Sequence, residues 1–538
     1  MQGSSSSTVS DDFKEACGEI ARAISSKSHI SARELDSLRK ETSRRYHLSS
    51  LPSNPDILAM LSDDARERLR TSLQIKPVRT ASGIAIIAVM TEPHPCPHGV
   101  CSYCPGGVRV GTPQAYTGHE PAALRGAQND YDSFRQVRSR MAQLSAAGHK
   151  VGKAEIIVMG GTFPSTPIVY QQRFIKGCLD ALTNSKSQTL EEAKTLAESS
   201  KIRNVGITVE TRPDWCKERQ VDMMLDYGVT RVEIGVQVLD DKIYELVRRG
   251  HTVKDVIDSF RIAKDSSLKV VAHMMPGLPG SSPKKDIESM RKLFEDERFR
   301  PDMLKIYPTL LIASSDLYQS YLKGEYKPYT IEEMVEILIE VKRFVPEWVR
   351  IMRIQRDIPA KMIVDGVKKS DLRDLVQKEM KRRGWECRCI RCREVGLREL
   401  KGDVEFEGRS VGLSRIEYLS SSGKEIFLSM VDEGSDTLVG FARMRLPSSR
   451  THRKEITWSD AALIREIHVY GSVIPVGLRD SKSWQHKGFG RDLMAEAEKI
   501  AKDEFGRSKM VVISALGTRE YYRKLGYSLE GPYMVKKL

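Results

Sequence analysis

The chain has 538 residues, too many for one hydrophobic core, so two to four domains are expected. Hydrophobic residues make up 40% of it, ordinary for a soluble protein. No apolar run of about 18 residues occurs and the N-terminus lacks a signal-type segment, so a cytoplasmic protein without a membrane span is expected. The net charge of +14 is unevenly placed: residues 341–400 hold 17 Lys/Arg against 9 Asp/Glu, a surface suited to a phosphate backbone.

Residues 1–9 are Ser-rich and should fray. From Asp11 to Leu73 apolar positions recur at three- and four-residue spacing, predicting helices near 12–24 and 31–45 with Ser31 as an N-cap. Arg44, Arg45, Arg66, Arg68 and Arg70 could touch nucleic acid, although the charge of the segment is nearly balanced. Residues 1–76 are therefore read as a helical accessory domain.

From Val78 the pattern changes to short apolar strands alternating with helices. Strands are predicted at 84–89, 155–159, 205–210, 231–237, 269–274, 304–307 and 349–354, and helices at 134–146, 169–182, 216–227, 253–265 and 284–295. Such alternation implies a parallel sheet with right-handed crossovers. Over residues 77–375 it suggests a full or partial βα barrel, whose chemistry sits at the C-terminal ends of the strands.

The first strand is followed by Pro95-Cys96-Pro97-His98-Gly99-Val100-Cys101-Ser102-Tyr103-Cys104, with C-x4-C-x2-C spacing. Thiolates select zinc, copper(I) or iron–sulfur clusters, and three ligands are one short of a closed tetrahedral site. A structural zinc loop satisfies the spacing. So does a [4Fe-4S] cluster with one free iron, as in radical S-adenosylmethionine (SAM) enzymes, whose usual pattern is C-x3-C-x-aromatic-C. Tyr103 fills the aromatic slot, while the first gap is one residue longer.

The other strand ends carry polar or glycine residues. Gly160-Gly161-Thr162 ends the second strand and would let backbone approach the SAM amino group. Glu210 and Arg212 end the third. Arg231, Glu233, Gly235 and Gln237 alternate along the fourth, so they share one face, and burying them is costly unless they bind something polar. His273, Met275 and a Pro276–Gly280 turn close the fifth strand; Lys305 and Tyr307 lie on the sixth.

Residues 355–369 are basic and loop-like. A small basic linker, 376–400, carries Cys387, Cys389 and Cys392 between Lys381, Arg382, Arg383, Arg388, Arg391 and Arg393. Three thiolates at C-x-C-x2-C spacing suit zinc with a fourth ligand from elsewhere; a second redox cluster is the alternative. The chain has nine cysteines. Six fall in these two clusters, which fits metal ligation in a reducing cytosol better than a disulfide framework.

Beyond Gly402 the chain is β-rich, with strands expected at 415–419, 425–432, 438–446, 461–470 and 510–514. Residues 401–538 are thus read as an α+β domain. Gln485-His486-Lys487-Gly488-Phe489-Gly490-Arg491 precedes a helix at 492–504. This matches the glycine-rich turn of GNAT acetyltransferases, where backbone N–H groups and a helix N-terminus hold the pyrophosphate of acetyl-CoA. Tyr521 and Tyr522 follow in a segment like the end of that fold.

Taken together, HPCPHGVCSYCPGG, VEIGVQ with HMMPGLPG, and REIHVYGSVIPVG with QHKGFG and YYRKLGY resemble the catalytic subunits of Elongator, the tRNA wobble-uridine acetyltransferases, from about Pro77 to Leu538. The resemblance implies a radical-SAM partial barrel joined to a GNAT domain, using a [4Fe-4S] cluster, SAM, acetyl-CoA and zinc. It implies that Cys96, Cys101 and Cys104 hold a cluster that reductively cleaves SAM. The resulting radical would act on the acetyl-CoA methyl group, and carbon 5 of the wobble uridine would receive a carboxymethyl group. By motif position, Glu466, Ile467, His468, Val469, Gln485, Gly488, Phe489, Gly490, Arg491 and Tyr522 would line the acetyl-CoA site, and Lys153 would reach it from the barrel. Gly160, Gly161, Glu210, Arg231, Glu233 and Gln237 are the barrel's cofactor candidates. The implied partners are a tRNA anticodon stem-loop and either a second copy or Elongator-type subunits. A protein lysine acetyltransferase with a structural cluster and a tRNA-binding scaffold are the competing readings.

Overall fold

The computed structural model describes residues 11–404, 410–471 and 488–538. Its contacts separate a small unit, Met1–Thr80 with Ser139–Val151, from a large one, Ala81–Arg138 with Gly152–Leu538. In the small unit, helices Asp11–Ile24, Ala32–Arg45, Asn54–Met60 and Asp63–Leu73 bury Ile20, Ile24, Leu35, Ile57, Leu58 and Leu69. Ser31, Ser53 and Ser62 cap three of them, each accepting a backbone N–H three residues on.

The large unit opens with seven parallel strands in sequence order: β1 (Ala85–Met90), β2 (Lys153–Met159), β3 (Arg203–Thr211), β4 (Arg231–Gln237), β5 (Lys269–Met274), β6 (Met303–Ile306) and, after the two-residue β7 (Leu311–Ile312), β8 (Arg350–Ile354). The sheet does not close, so the barrel is partial. Helices complete the crossovers, including Leu190–Ser199 and Ile331–Phe344, which the alternation did not single out. The segment read as loop-like holds β9 (Ile363–Asp365), paired antiparallel with β7.

Seven further strands make the second sheet: β10 (Val411–Ser420), β11 (Gly423–Asp432), β12 (Thr437–Leu446), β13 (Ala461–Val469), β14 (Lys509–Val512), β15 (Ser528–Glu530) and β16 (Tyr533–Lys537). All neighbours are antiparallel except β13 and β14. Helix Phe489–Lys499 buries Leu493, Met494 and Ala497 against this sheet and continues into a π-helical turn, Ile500–Glu504, where a single α-helix was expected.

The two sheets are joined by buried charge. Arg465 of β13 donates to both oxygens of Asp302, to Glu425 and to the Leu268 carbonyl. Arg445 bridges Asp265 and Glu425 at 2.7 and 2.9 Å. Lys264 bonds the Arg300 carbonyl at 2.6 Å and the Ser420 hydroxyl at 2.7 Å, and burial pulls its ammonium down to about 8. Arg443 pairs with Glu466 at 2.8 Å. Four cations thus face the four carboxylates Asp265, Asp302, Glu425 and Glu466. Asp302, just before β6, and Lys264 and Asp265, at the end of the helix Val253–Asp265, come from the barrel side; Arg443, Arg445, Arg465, Glu425 and Glu466 come from the other.

Asp302→Ala leaves Arg465 without its closest counter-charge in a dry site, an error that costs about 3–5 kcal/mol. Denaturant unfolding of the full chain is expected to show a loss of that order, and a change below about 1 kcal/mol would mean that solvent reaches the network.

Candidate active site

The cysteine loop leaves the C-terminal end of β1. Cys101 and Cys104 are buried and Cys96 is half-buried; burial raises the thiols of Cys96 and Cys104. Each sulfur has a polar neighbour. Thr162 Oγ1 is 3.7 Å from Cys96 Sγ, His98 Nε2 is 3.1 Å from Cys101 Sγ, and Gln114 Nε2 donates to Cys104 Sγ at 2.9 Å. Arg249 Nη1 lies 3.7 Å from Cys101 Sγ. Burial, reinforced by Arg212 and Arg249, lowers His98 to about 3, so it is a neutral imidazole. The Gly160-Gly161-Thr162 turn reaches the same mouth. Gly160 has φ +132°, and a Cβ there would sit 2.0 Å from Thr91 Oγ1, so only glycine fits. His98 and Thr162 stand inside motifs read from the sequence. Gln114 and Arg249 do not: they lie ten and about 150 residues from the loop, and no local spacing signals them.

Below this mouth the inner face of the sheet is polar. Glu233 accepts from Lys305 and lies 2.8 Å from His273 Nε2. These two hold its carboxyl well below the ordinary range against the opposing pull of burial. Tyr116 donates to both oxygens of Glu210 at 2.9 and 3.1 Å, and burial with the nearby Glu233 raises that carboxyl. Val232, Ile234 and Val236, on the other face of β4, are fully buried. Arg231, although on the inner face, is not at the cysteine mouth. It begins β4 at the floor of the barrel and pairs with Glu155, which also accepts from Thr208 at 2.9 Å.

The floor is where β13 arrives. β13 and β14 pair only from Ala461 to Ile464; beyond that they part, and Glu466, Ile467, His468 and Val469 run along the opening. Glu466 is half-buried, and Arg443 and then Lys269, the first residue of β5, lower its carboxyl against burial. Lys153 begins β2 at the same level, and burial lowers its ammonium. His468 stacks on Phe441 and packs against Tyr470. At the far side of the opening, Gly488 (φ +92°) caps helix Phe489–Lys499. A Cβ on Gly490 would lie 3.2 Å from Tyr521 Oη and 3.8 Å from Val469 Cγ2. The structure therefore brings together Val469, Gly490 and Tyr521. Tyr522, expected in the site by motif position, instead packs into the core beneath the sheet beside Tyr527. Gln485 lies outside the described residues.

Residues 94–293 match the Radical SAM superfamily, 301–382 the Radical_SAM C-terminal domain, 397–527 the acetyltransferase (GNAT) family and 13–81 the ELP3 N-terminal domain. The chain is 49% identical over 492 residues, 90% of each chain, to a tRNA uridine(34) acetyltransferase of Methanocaldococcus jannaschii. The chain belongs to the Elongator protein 3 family. It is 46% identical over 513 residues to human Elongator complex protein 3, covering 94% of this chain and 93% of that one. The archaeal Methanocaldococcus infernus Elp3 with an N-terminal deletion superposes with a TM-score of 0.76 at 45% identity, over 85% of this chain and all of that one. As in that family, a [4Fe-4S] cluster, SAM and acetyl-CoA are the cofactors. The cysteine mouth suits such a cluster: its three sulfurs have no fourth thiol, and the buried Nε of Arg249 has no partner.

Against this family background the second cysteine cluster differs in geometry. The sulfurs of Cys387, Cys389 and Cys392 lie within 4.8 Å of one another, close enough to share one ion; among the described residues the only other such set is Glu210, Glu233 and His273, which Lys305 already neutralises. Lys342 Nζ is 3.6 Å from Cys392 Sγ. The flanking cations are unequal. Arg393 is buried between Glu347 and Asp436, and Arg383 is clamped by Glu336 and Glu379. Arg391 is half-buried, and burial, aided by Arg373 and Arg350, lowers it to about 10. Lys381, Arg382 and Arg388 are exposed, but Arg382 pairs with Glu379 and Arg388 with Glu347 and Asp436.

The placement of the tyrosines separates two outcomes. Tyr521→Ala is expected to weaken acetyl-CoA binding about tenfold, or 1.4 kcal/mol, with melting unchanged. Tyr522→Ala should cost about 3 kcal/mol of stability, and Tyr522→Phe should leave acetyl-CoA affinity as it is. Isothermal titration and thermal denaturation of the three variants check this; a loss of affinity in Tyr522→Phe would move the binding role to that hydroxyl.

Proposed function

We propose that this chain is a tRNA uridine(34) acetyltransferase that installs a carboxymethyl group on carbon 5 of the wobble uridine, taking the two-carbon unit from acetyl-CoA. One arrangement carries this: a three-cysteine site and a GNAT-type opening lie at opposite ends of a single polar-lined barrel. Strands of this length span about 20 Å, and the lining between the ends is Glu233, His273, Lys305, Glu210 and Tyr116 above Arg231 and Glu155. Apolar side chains normally fill such an interior; a polar one suits a base and a thioester.

Cys96, Cys101 and Cys104 hold the cluster, and the Gly160–Gly161 backbone gives SAM its close approach. When bound, the cluster with SAM supplies a one-electron reductive cleavage and hence a carbon-centred radical. Glu466 to Val469 present the edge of β13 to acetyl-CoA, and the amides from Gly488 to Arg491 face its pyrophosphate. Lys153 and Lys269 place ammonium groups at the floor, where the thioester carbonyl oxygen would accept from them. Cys387, Cys389 and Cys392 hold one zinc ion, whose thiolate charge Lys342 offsets. Zinc there locks the linker between the two sheets.

Uridine 34 must leave its stack to reach a buried site, as single-stranded anticodon loops allow. The exposed cation Lys381 supplies a phosphate contact; Arg382 and Arg388 are paired with Glu379 and with Glu347 and Asp436, and would exchange those carboxylates for phosphate. In the small unit Arg45, Arg66, Arg68 and Arg70 are all paired with carboxylates. Arg44 is not; it lines an open cavity with Lys40 and His47 and is a further candidate contact.

An anaerobic assay with SAM, acetyl-CoA, dithionite and tRNA is expected to yield 5′-deoxyadenosine and carboxymethyluridine by mass spectrometry, and Cys101→Ser to reduce both to background. Acetyl-lysine formed without SAM would overturn the proposal in favour of a protein acetyltransferase. For tRNA binding, Lys381→Ala should reduce the slope of log K against log salt by about one. Arg393→Ala should act on stability and leave that slope unchanged; a loss of slope there would place Arg393 on phosphate.

A further inference from the structure

Among the buried cations of the large unit, Arg249 has no counter-charge. Arg212 beside it is neutralised by Asp214 through two bonds of 2.9 and 3.0 Å, and Arg350 by Glu394. Arg249 has no carboxylate within 4.0 Å among the described residues. Its Nη2 donates to the Gly235 carbonyl at 2.7 Å, its Nη1 lies 3.7 Å from Cys101 Sγ, and its Nε is buried without a partner. The residue is 8% exposed. A buried guanidinium with no anion is costly, so the anion it answers is on the other side of Nη1: the cysteine site.

The approach is built in. The turn that carries Arg249 is fixed to the cysteine loop by the Ser102 N–H, which donates to the Val247 carbonyl at 3.1 Å. Gly250 has φ +73°, and a Cβ there would stand 2.8 Å from His98 Cβ, so no larger residue lets the turn come this close. Arg212 Nη1 donates to the Arg249 carbonyl at 2.8 Å and holds the turn from below. Thr162 and Gln114, also at the sulfurs, carry no charge, and His98 carries none that is permanent. Among the described residues Arg249 is the one permanent charge that touches a cysteine sulfur at this mouth.

We propose that Arg249 is a positioning residue that sets the reduction potential of the cluster held by Cys96, Cys101 and Cys104; this rests on the cluster assigned above. Three thiolates and an oxidised [4Fe-4S] core carry a net charge of −1. One electron, taken from an external low-potential one-electron donor, makes it −2, with no bond made or broken in the protein. A fixed positive charge beside one sulfur stabilises the second state more than the first, and charge and hydrogen bonds at the sulfurs are what tune such potentials. Gln114 adds a dipole; Arg249 adds the permanent charge.

The test uses the full chain, reconstituted anaerobically, as wild type, Arg249→Lys and Arg249→Met. Iron and sulfide content and the EPR spectrum are recorded first, then a redox titration followed by EPR without SAM. At a fixed poise, Arg249→Met is expected to lower the ratio of reduced to oxidised cluster at least tenfold, about 59 mV for one electron. Arg249→Lys should move it by less than half as much. Melting of the cluster-free proteins supplies a second readout: removing an uncompensated charge should leave Arg249→Met at least as stable as wild type, and cluster loading should then raise its melting point less. Loss of cluster binding in Arg249→Met with retention in Arg249→Lys also supports the charge. An unchanged potential in a fully loaded Arg249→Met, or equal effects of Met and Lys on potential or loading, overturns the proposal. A wild type that takes up no iron and sulfide fails at the first measurement and takes the cluster assignment down with it.

Discussion

The ring of four cations and four carboxylates between the barrel floor and the second sheet is the constraint on which the rest depends. None of these groups can be moved alone. Asp302 answers Arg465, Arg443 and Lys264; Glu425 answers Arg465 and Arg445. A dry network of this kind adds little to stability relative to apolar packing, but it is unforgiving of misregister. Its effect is geometric: β13, which carries Glu466 to Val469, is held against the starts of β5 and β6 and cannot drift from the barrel axis.

That geometry gives the barrel interior its character. In an ordinary βα barrel the inner layers are apolar and closed. Here β4 alone contributes Arg231, Glu233 and Gln237 inward, and its neighbours answer with Glu155, Glu210, His273 and Lys305. The charges are matched in pairs, Arg231 with Glu155 and Lys305 with Glu233, so the lining costs less than its composition suggests. Arg249 at the cysteine mouth has no carboxylate beside it among the described residues, and at the floor burial lowers Lys153 and Lys269.

Much of this was legible in the sequence, and the reasons are local. Period-2 apolar runs such as Val232–Ile234–Val236 mark buried strands whatever surrounds them, and the C-x4-C-x2-C and Gly488–Gly490 spacings act within one loop. What local patterning did not supply was pairing across the chain. Arg393 and Lys381 look alike in a basic segment, yet one meets Glu347 and Asp436 and the other meets water. Tyr521 and Tyr522 are neighbours, and a helical turn of about 100° sends one toward Gly490 and the other into the core. Gln114 and Arg249 reach the cysteines only through the fold.

The polar lining has one more consequence, for the way the chain is divided. A barrel with an apolar plug can stand alone, its floor sealed by its own side chains. This one has Arg231, Lys269 and Lys153 at its lower rim, and the seal is made by β12 and β13 of the neighbouring sheet. The acetyltransferase half is thus also a stopper. Cut away, it would leave the lower end open to bulk water, and a reactive species made at the top would be quenched from below.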